Sequence, residues 1–302
     1  MLDFIQSIFG LKKKKETRPS GQGVETAPLS DEQLQLVSSA RIRLQPPQLS
    51  VGVAQSVGRQ RDHNEDTIFT FTALLADGVR DIPVGIYIVA DGMGGHQNGE
   101  IASSVAARSM ADYVLNKLYG PLLGVREEGM SDSIQEVMEG GVREAHRLVQ
   151  RNAPGGGTTL TAALVIGEQV TTAHVGDSRA YFIFPDGRMK VVTQDHSYVQ
   201  RLLELGQITE KEAMNHPQRN VLYRALGQAE PFRADVNTFD LPHPGYLMIC
   251  SDGLWGVVPE IEIFRIINSS KNLPHACHQL VEAANAAGGP DNISVVLVEY
   301  LS

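Results

Sequence analysis

The sequence predicts an α+β domain in which antiparallel sheets pack together and helices cover them. Three observations support this fold class. The predicted strands follow one another as consecutive hairpins, long amphipathic helices separate the groups of strands, and 42% of the 302 residues are hydrophobic, enough to form a large core. A doubly wound parallel sheet would instead require a crossover between neighbouring strands.

Strand-forming residues dominate the first part of this domain. β-branched and aromatic side chains predict strands over residues 51–57, 66–74 and 85–90. Two helices follow, because apolar residues then recur at helical spacing. The two stripes comprise Ala102, Val105, Ala106, Met110, Tyr113 and Val114, and then Ile134, Val137, Met138, Val142, Ala145 and Val149.

Strands resume after the second helix and continue almost to the C-terminus. A helix over 274–286 precedes a last strand over 293–300. The other strands are predicted over residues 159–166, 169–175, 179–184 and 189–193 and in the apolar run 245–251.

The N-terminal 49 residues differ in composition from the rest of the chain. Residues 1–50 hold seven basic and five acidic side chains, a net charge of +2, whereas the remaining 252 residues carry −11. Residues 12–48 are polar, with several prolines and glycines, which is typical of a linker, and one short helix is predicted over 31–37. We therefore expect a flexible basic leader and linker over 1–49 and a folded domain over 50–302.

The start of the leader allows two interpretations. Four lysines follow the apolar segment, whereas a secretory signal peptide has its positive charges before it, so export is not expected. Leu2, Ile5, Ile8 and Phe9 could form the apolar face of a helix that makes weak contact with a membrane or a partner through residues 1–15. Alternatively, the leader is solvated, because a single short helix is marginal in water.

The overall composition excludes several classes of protein. A net charge of −9 disfavours a general nucleic-acid binder. Cys250 and Cys277 cannot form a disulfide framework, and we expect both to be buried, as we do Trp255. Because no apolar segment is long enough to span a bilayer, we expect a cytoplasmic protein that is membrane-peripheral only if the leader binds a membrane.

Acidic residues stand at the ends of predicted strands. Two apolar strands run into Asp91-Gly92 and Asp252-Gly253, Glu65 and Asp66 begin another, and Asp291 precedes the last. If these ends converge, a divalent cation would hold the carboxylates ionised, and oxygen ligands favour Mg²⁺ or Mn²⁺ over Zn²⁺. The glycines would let the backbone approach the ions. An isolated Asp-Gly is also typical of an ordinary turn, so these residues alone leave both interpretations open.

Six motifs in a fixed order extend this pattern. They are Arg61-Asp62-His63-Asn64-Glu65-Asp66, Val89-Ala90-Asp91-Gly92-Met93-Gly94-Gly95-His96, Gly157-Thr158-Thr159, Gly176-Asp177-Ser178-Arg179, Ser251-Asp252-Gly253-Leu254-Trp255 and Asp291-Asn292. With these motifs, residues 51–300 resemble the metal-dependent protein phosphatases, the PPM or type 2C family, in their bacterial serine/threonine form.

The resemblance implies a fold and an activity. The fold is a four-layer α-β-β-α sandwich of two mainly antiparallel sheets flanked by helices, with a bacterial-type flap. The implied activity is that of a phosphoprotein phosphatase, which hydrolyses phosphoserine and phosphothreonine with two Mn²⁺ or Mg²⁺ ions at its core site. A hydroxide bridging the ions would attack the phosphorus in line, so no covalent nucleophile is needed.

The family motifs also assign roles to residues of this chain. Asp91 would be catalytic and bridge both ions, Asp252 and Asp291 would complete one metal site, and Glu65 with the Gly92 carbonyl would hold the other ion, largely through water. Asp66 would support these ligands from outside the coordination sphere.

Asp177 corresponds to a position that, with that of Asp252, holds a third, weaker ion in bacterial relatives. The alternative is that Asp177 is a turn residue bonded to Arg179.

Two arginines are candidates for binding the phosphate, because a guanidinium matches two phosphate oxygens. Arg59 and Arg61 would lie on the same side of a strand, so their spacing cannot separate them. The family motif selects Arg61, which leaves Arg59 as a solvated charge.

Two positions depart from the family pattern. Met93 stands where animal members have a histidine proposed as the general acid, and a methionine cannot donate a proton. The acid is therefore unassigned, with a metal-bound water as one candidate, since His63 and His96 are expected to be exposed loop residues. Gly256 stands where some members have a further acidic ligand, which weakens the case for a third ion.

Residues 195–227 match the flap of the bacterial members, which borders the active site. Ser197 with Gln200, and Thr209 with Glu212, predict capping boxes for helices in this segment. Asp195 is interpreted as a capping or flap-anchoring residue rather than a ligand.

Three functions from different classes remain. The first is an active phosphatase, expected to be a monomer, that acts on substrates of bacterial-type serine/threonine kinases. The second is a catalytically silent phosphatase-like binding or regulatory module, which is disfavoured because the carboxylates and Arg61 are all present. The third is a nucleotide-binding protein, which is weak because the glycine-rich segment 155–159 lacks the lysine of a P-loop.

Overall fold

The computed structural model describes residues 46–76, 81–94, 97–123, 132–228 and 232–302. Most of the predicted leader lies outside the described residues, including the apolar face near the N-terminus and the helix expected over 31–37. His96 also lies outside them.

Two antiparallel sheets form the centre of the fold, and their pairings confirm the predicted fold class. The first sheet contains, in spatial order, β1 (Gln48–Ser56), β11 (Ile293–Leu301), β10 (Tyr246–Cys250), β7 (Arg179–Ile183) and β8 (Met189–Val191). The second contains β2 (Asp66–Ala76), β3 (Asp81–Met93), β5 (Leu160–Ile166), β6 (Gln169–Val175) and β9 (Asp235–Asp240), and the short β4 (Gly157–Thr158) pairs with β3.

Helices cover the outer faces of both sheets. The helices are α1 (Gln97–Leu123), α2 (Ile134–Asn152), α3 (Tyr198–Glu204), α4 (Glu210–Met214), α5 (Asp252–Trp255), α6 (Glu260–Ser269) and α7 (Leu273–Ala286). The core of the second sheet packs on α1 and α2, and that of the first sheet packs on α6 and α7. Within the described residues, no helix is both long enough and apolar enough to cross a bilayer.

Both faces of each sheet are buried, because successive side chains of a strand point to opposite faces and each face packs in a core. In β3, Ile86 and Ile88 pack in the core with α1 and α2, whereas Tyr87 and Val89 pack in the core between the sheets. With the core under α6 and α7, three apolar layers separate four layers of secondary structure, which confirms the predicted sandwich.

Local signals in the sequence set individual elements. Ser133 and Glu136 form a capping box at the start of α2, with the Glu136 carboxylate accepting the Ser133 N–H at 2.7 Å. At Gly52 in β1, an added Cβ would lie 2.3 Å from the carbonyl carbon of Leu273, so α7 can approach the sheet only because this residue is a glycine. Cys250 and Cys277 are buried free thiols, as predicted.

Several features differ from the sequence-based prediction. β3 continues to Met93 instead of ending at residue 90, and residues 57–65 form a loop, so neither candidate arginine lies on a strand. β9 and α6 were not predicted. β9 is an edge strand whose side chains are all partly buried or exposed, which weakens its alternation, and α6 begins Glu-Ile-Glu-Ile, an alternation more typical of a strand.

Candidate active site

A cleft of about 370 Å³ opens where strand ends of the two sheets meet. Predicted site residues from separate parts of the chain line it, namely Arg61, Glu65, Asp91, Gly92, Asp177, Asp252 and Asp291. Asp66 is buried beside the cleft. The other lining residues are Gln60, Asp62, His63, Met93, Gly94, Thr159, Asn220, Leu222 and Asn292.

Strand pairing brings the carboxylates together. Asp66, the first residue of β2, is the register partner of Asp91 near the end of β3. Asp252 begins α5 directly after β10, and β10 pairs with β11, which Asp291 shortly precedes. Segments that are far apart in the sequence thus place acidic side chains at one edge of the sandwich.

Two threonines fix the main chain of Asp91. The Asp91 N–H donates to Thr159 Oγ1 at 2.9 Å, and the Asp91 carbonyl accepts from the Thr159 N–H and from Thr158 Oγ1, each at 2.9 Å. Thr159 Oγ1 also lies 2.8 Å from Ser178 Oγ, next to Asp177. The threonines of the Gly-Thr-Thr motif therefore hold the acidic residues in place, although they are not candidate metal ligands themselves. This role was not predicted from the sequence.

The side chain of Asn292 organises the loop over residues 57–65. Its Oδ1 accepts the Glu65 N–H at 2.8 Å, and its Nδ2 donates to the carbonyls of Val57 and His63, each at 2.9 Å. Asn292 is buried, so these bonds are shielded from water. Asn292 belongs to the Asp291-Asn292 motif, but nothing in the sequence predicts that it holds the loop carrying Arg61 and Glu65.

Burial and mutual repulsion perturb the carboxylates strongly. Burial, and then Asp66, Asp252, Asp177 and Asp291, raise the pKa of Asp91 well above its usual range. Burial also raises the pKa of Asp66 to about 7 and that of Asp252 to about 6, with further contributions from neighbouring aspartates. Asp91 is therefore the centre of a cluster of like charges in a cleft, the environment in which a cation is most stabilising.

The donor set fits hard divalent cations. Asp66 Oδ2 accepts from Ser251 Oγ at 2.8 Å, but the buried Asp66 Oδ1 and Asp252 Oδ1 have no hydrogen-bond partner in the described part of the chain. Within the described ranges, no three His, Cys, Asp or Glu side chains are grouped closely enough to hold an ion by themselves. This arrangement suits Mg²⁺ or Mn²⁺, which are bound through few carboxylates and complete their coordination with water and other oxygens.

The glycines beside the aspartates have a packing role that was not predicted. A Cβ added at Gly92 would lie 2.2 Å from the Gly99 carbonyl oxygen, and one added at Gly253 would lie 2.0 Å from the Asn292 carbonyl oxygen. These residues are thus required for close packing of the start of α1 and of the Asn292 backbone, independently of any ion.

Arg61, rather than Arg59, lines the cleft. Its Nη2 donates to Asp291 Oδ2 at 2.7 Å, and its side chain is 50% exposed. Arg59 is exposed, and its main-chain N–H donates to the Gly289 carbonyl at 2.8 Å. The structure therefore separates two residues that their spacing could not.

Asp177 is buried in the turn between β6 and β7, and its carbonyl accepts from Trp255 Nε1 at 3.0 Å. Arg179 does not bond to its carboxylate as the alternative interpretation suggested. Arg179 instead forms a bidentate ion pair with Asp195, at 2.9 and 2.8 Å, and stacks 3.5 Å from the Trp255 ring centroid. Trp255 is partly buried by this stacking, so its assignment to the core was correct only in part.

Met93, which stands where animal members have a histidine, lines the cleft and has no proton to donate. His63 is partly exposed in its loop, and its Nε2 lies 3.0 Å from Glu65 Oε1. Gly256 follows the last residue of α5.

The segment expected to be a flap contains α3 and α4 and reaches the cleft through Asn220 and Leu222. Thr209 and Glu212 form both bonds of the predicted capping box, and Ser197 Oγ accepts from the Gln200 N–H. An isolated β-bridge between Ser197 and Leu222 joins the start of this segment to its end. A second β-bridge, between Thr158 and Leu226, joins the segment to the Gly-Thr-Thr motif of the site.

Comparison with known proteins identifies the family. The protein phosphatase 2C family model matches residues 60–292. The serine/threonine phosphatase stp of Listeria innocua is 41% identical over 244 residues, which cover 80% of this chain and 92% of that protein.

Solved structures agree with this match. A serine/threonine phosphatase from S. agalactiae shares 31% identity, with a TM-score of 0.70 over 83% of this chain and 99% of that one. The catalytic domain of the phosphatase PstP, solved with two manganese ions, shares 28% identity, with a TM-score of 0.67 over 84% and 99% of the two chains. The chain therefore belongs to the protein phosphatase 2C family.

Proposed function

We propose that this chain is a metal-dependent protein phosphatase that hydrolyses phosphoserine and phosphothreonine in other proteins. The observation that carries the proposal is Asp91, a partly buried carboxylate in an open cleft, which is surrounded by the carboxylates of Asp66, Asp177, Asp252 and Asp291. Such an arrangement is unfavourable unless cations bind there. It is also the arrangement expected of a two-metal hydrolase.

Two divalent ions, Mn²⁺ or Mg²⁺, would occupy this site. We assign one ion to Asp91, Asp252 and Asp291, and the other to Asp91, Glu65 and the Gly92 carbonyl, with Asp66 supporting Asp91. Because no three of these side chains are close enough to hold an ion by themselves, water would complete both sites. Asp177 and Asp252 are candidates for a third, weaker ion. When bound, such ions neutralise phosphoryl oxygens and lower the pKa of water so that it can attack phosphorus.

The protein's own residues would position the substrate. Arg61 is exposed, and its guanidinium would exchange the bond with Asp291 for two bonds to phosphate oxygens, whose geometry the planar group matches. Water attacks the phosphorus opposite the serine or threonine oxygen, and the bond from phosphorus to that oxygen breaks. Met93 cannot protonate the leaving oxygen, and we propose a water in the cleft as one source of that proton.

The proposal also covers the substrates and the cellular location of the protein. Relatives named as serine/threonine phosphatases support phosphoproteins as substrates, and we assign these to the products of bacterial-type kinases. We further propose a cytoplasmic monomer whose residues 1–15 make weak membrane contact. Deleting residues 1–49 should then reduce sedimentation with anionic liposomes, and unchanged sedimentation would contradict the membrane contact.

The test of function is phosphate release from peptides. With Mn²⁺, the full chain should release phosphate from phosphoserine and phosphothreonine peptides and lose this activity in excess chelator. The silent alternative predicts peptide binding with no release at any metal concentration. Asp186→Asn is a suitable control, because Asp186 is exposed and pairs only with the surface residue Arg188, away from the cleft.

A further inference from the structure

The turn that carries Asp177 depends on an unusual backbone conformation. Gly176, which precedes Asp177, is buried and has a φ of +110°, and a Cβ at this position would lie 2.6 Å from Thr159 Cβ. A glycine has wide conformational freedom and takes this left-handed backbone without strain. Its conformation is therefore set by its contacts, which also decide where the adjacent Asp177 lies.

His196 supplies two of these contacts. Its backbone N–H donates to the Gly176 carbonyl at 2.7 Å, and its Nδ1 accepts the Gly176 N–H at 3.0 Å. One residue thus satisfies both polar groups of the Gly176 main chain. Its neighbour Asp195 forms an ion pair with Arg179, which follows Asp177 in the chain. The adjacent residues Asp195 and His196 therefore contact residues on both sides of Asp177.

The rest of the His196 ring is fixed by groups outside the cleft. Because Nδ1 accepts a hydrogen bond, the neutral ring carries its proton on Nε2, which donates to Asp235 Oδ2 at 3.1 Å. Arg224 Nη1 lies 3.0 Å from Nε2 and donates to Asp235 Oδ1 at 3.0 Å. The bond from His196, with smaller contributions from Arg224, lowers the pKa of Asp235 to about 2, so this acceptor stays ionised.

His196 also connects the two ends of the segment over residues 195–227. Its carbonyl accepts the Tyr223 N–H at 2.9 Å, and its ring packs against those of His174 and Tyr223, with centroid distances of 4.9 and 5.8 Å. The residue is 1% exposed. The start of the segment, its end and the Asp177 turn therefore meet at one buried imidazole.

We infer that His196 is a positioning residue for phosphoester hydrolysis, which sets the Asp177 carboxylate and couples it to the flap-like segment over 195–227. This inference rests on the proposed function. His196 lies outside the cleft lining, so it acts through Gly176 and not on the substrate.

Two isosteric variants separate the two ring nitrogens. In His196→Asn, the amide oxygen takes the place of Nδ1 and keeps the bond to Gly176, while the bond to Asp235 is lost. In His196→Gln, the longer amide takes the place of Nε2 and keeps the bond to Asp235, while the bond to Gly176 is lost. His278→Gln, an exposed substitution on α7, is the matched control.

The first measurement is hydrogen–deuterium exchange at the Gly176 amide in metal-free protein. His196→Gln should increase this exchange about tenfold, the equivalent of one hydrogen bond, whereas His196→Asn and His278→Gln should stay close to wild type. Equal exchange in the two His196 variants would overturn the inference. Because no metal or substrate is present, this result stands even if the chain proves inactive, which would count only against the proposed function.

The second measurement is turnover of p-nitrophenyl phosphate with Mn²⁺. His196→Gln should lower kcat about tenfold with KM within about twofold of wild type, and His196→Asn should recover most of the loss. If kcat falls in both variants in proportion to the loss in melting temperature, His196 has a merely structural role and the inference is contradicted.

If the variants do not fold, the hydrogen bond from the Gly176 N–H to His196 Nδ1 can be tested in the wild-type protein. In protein labelled with ¹⁵N, a scalar coupling across the hydrogen bond between the Gly176 amide and His196 Nδ1 is expected. A proton on His196 Nδ1 would rule the positioning role out.

Discussion

Arg61 Nη2 lies 2.7 Å from Asp291 Oδ2, so the residue expected to bind phosphate is in contact with a residue expected to bind metal. Arg61→Ala should raise the KM for a phosphothreonine peptide about 10- to 100-fold, because charge-assisted bonds to phosphate are lost, and should leave kcat within a few-fold. Steady-state kinetics check this, with Arg59→Ala as the matched exposed control. An unchanged KM in a folded Arg61→Ala protein would remove Arg61 from phosphate binding.

The carboxylate cluster should make the metal-free protein less stable as the pH rises. Asp66 has a pKa of about 7 and Asp252 of about 6, well above the value of about 3.9 for an unfolded chain. Between these limits the folded state binds more protons than the unfolded state, so the free energy of unfolding falls as pH increases from about 4 to 7, by about 1–3 kcal/mol per group. Saturating Mn²⁺ should remove this decline.

Urea unfolding of Asp66→Asn and wild type in chelator, across this pH range, measures the effect. His174 acts in the opposite direction, because burial lowers its pKa to about 3 and the unfolded chain then binds the extra proton below about pH 6.5. The difference between the two proteins isolates Asp66, since His174 is common to both. Parallel stability curves for Asp66→Asn and wild type would show that Asp66 does not titrate as described.

Asp177→Ala should lower turnover more than it weakens the tightly bound pair of ions. Asp177 lies at the edge of the cluster and contributes to raising the pKa of Asp91, but our assignment gives it no part in binding the tight pair. Calorimetric titration with Mn²⁺ should therefore retain the tight binding events, while kcat falls about tenfold or more. Loss of the tight pair in this variant would contradict the assignment.

The ion pair between Arg179 and Asp195 should stabilise the site. Asp195 is 7% exposed and Arg179 24%, so removing one partner leaves a largely buried charge. Asp195→Asn should lower the free energy of unfolding by about 2–3 kcal/mol, near the lower end for buried pairs because Arg179 is partly solvated. Chemical denaturation measures the loss, and Asp186→Asn should leave stability unchanged. A loss no larger than that of the control would mean that solvent screens this pair.

Some of the site could be predicted because it follows local rules. The apolar runs that end in Asp91 and Asp252 identify buried strands, one in each sheet, and the sandwich places the ends of these two strands at the same cleft. The family motifs then supplied Arg61, which spacing alone could not distinguish from Arg59.

Other parts depend on contacts between distant segments. The role of Asn292 is set by bonds to residues more than 200 positions away, and that of His196 by bonds to Gly176, Tyr223 and Asp235 on three different elements. A single asparagine or histidine in a sequence carries no sign of such partners. β9 was missed for a related reason, since an edge strand needs little alternation when its neighbour supplies the hydrogen bonds.

The most direct test of the central claim is an Mn²⁺ titration of p-nitrophenyl phosphate hydrolysis by wild type, Asp252→Asn and the surface control Asp186→Asn. Asp252→Asn keeps the shape of the side chain but removes the charge of a carboxylate whose buried Oδ1 has no hydrogen-bond partner among the described residues. We predict metal-dependent turnover in wild type and control, and a loss of about 100-fold or more in Asp252→Asn. Turnover that is independent of Mn²⁺, or equal in Asp252→Asn and wild type, would contradict a carboxylate-bound metal centre as the catalyst.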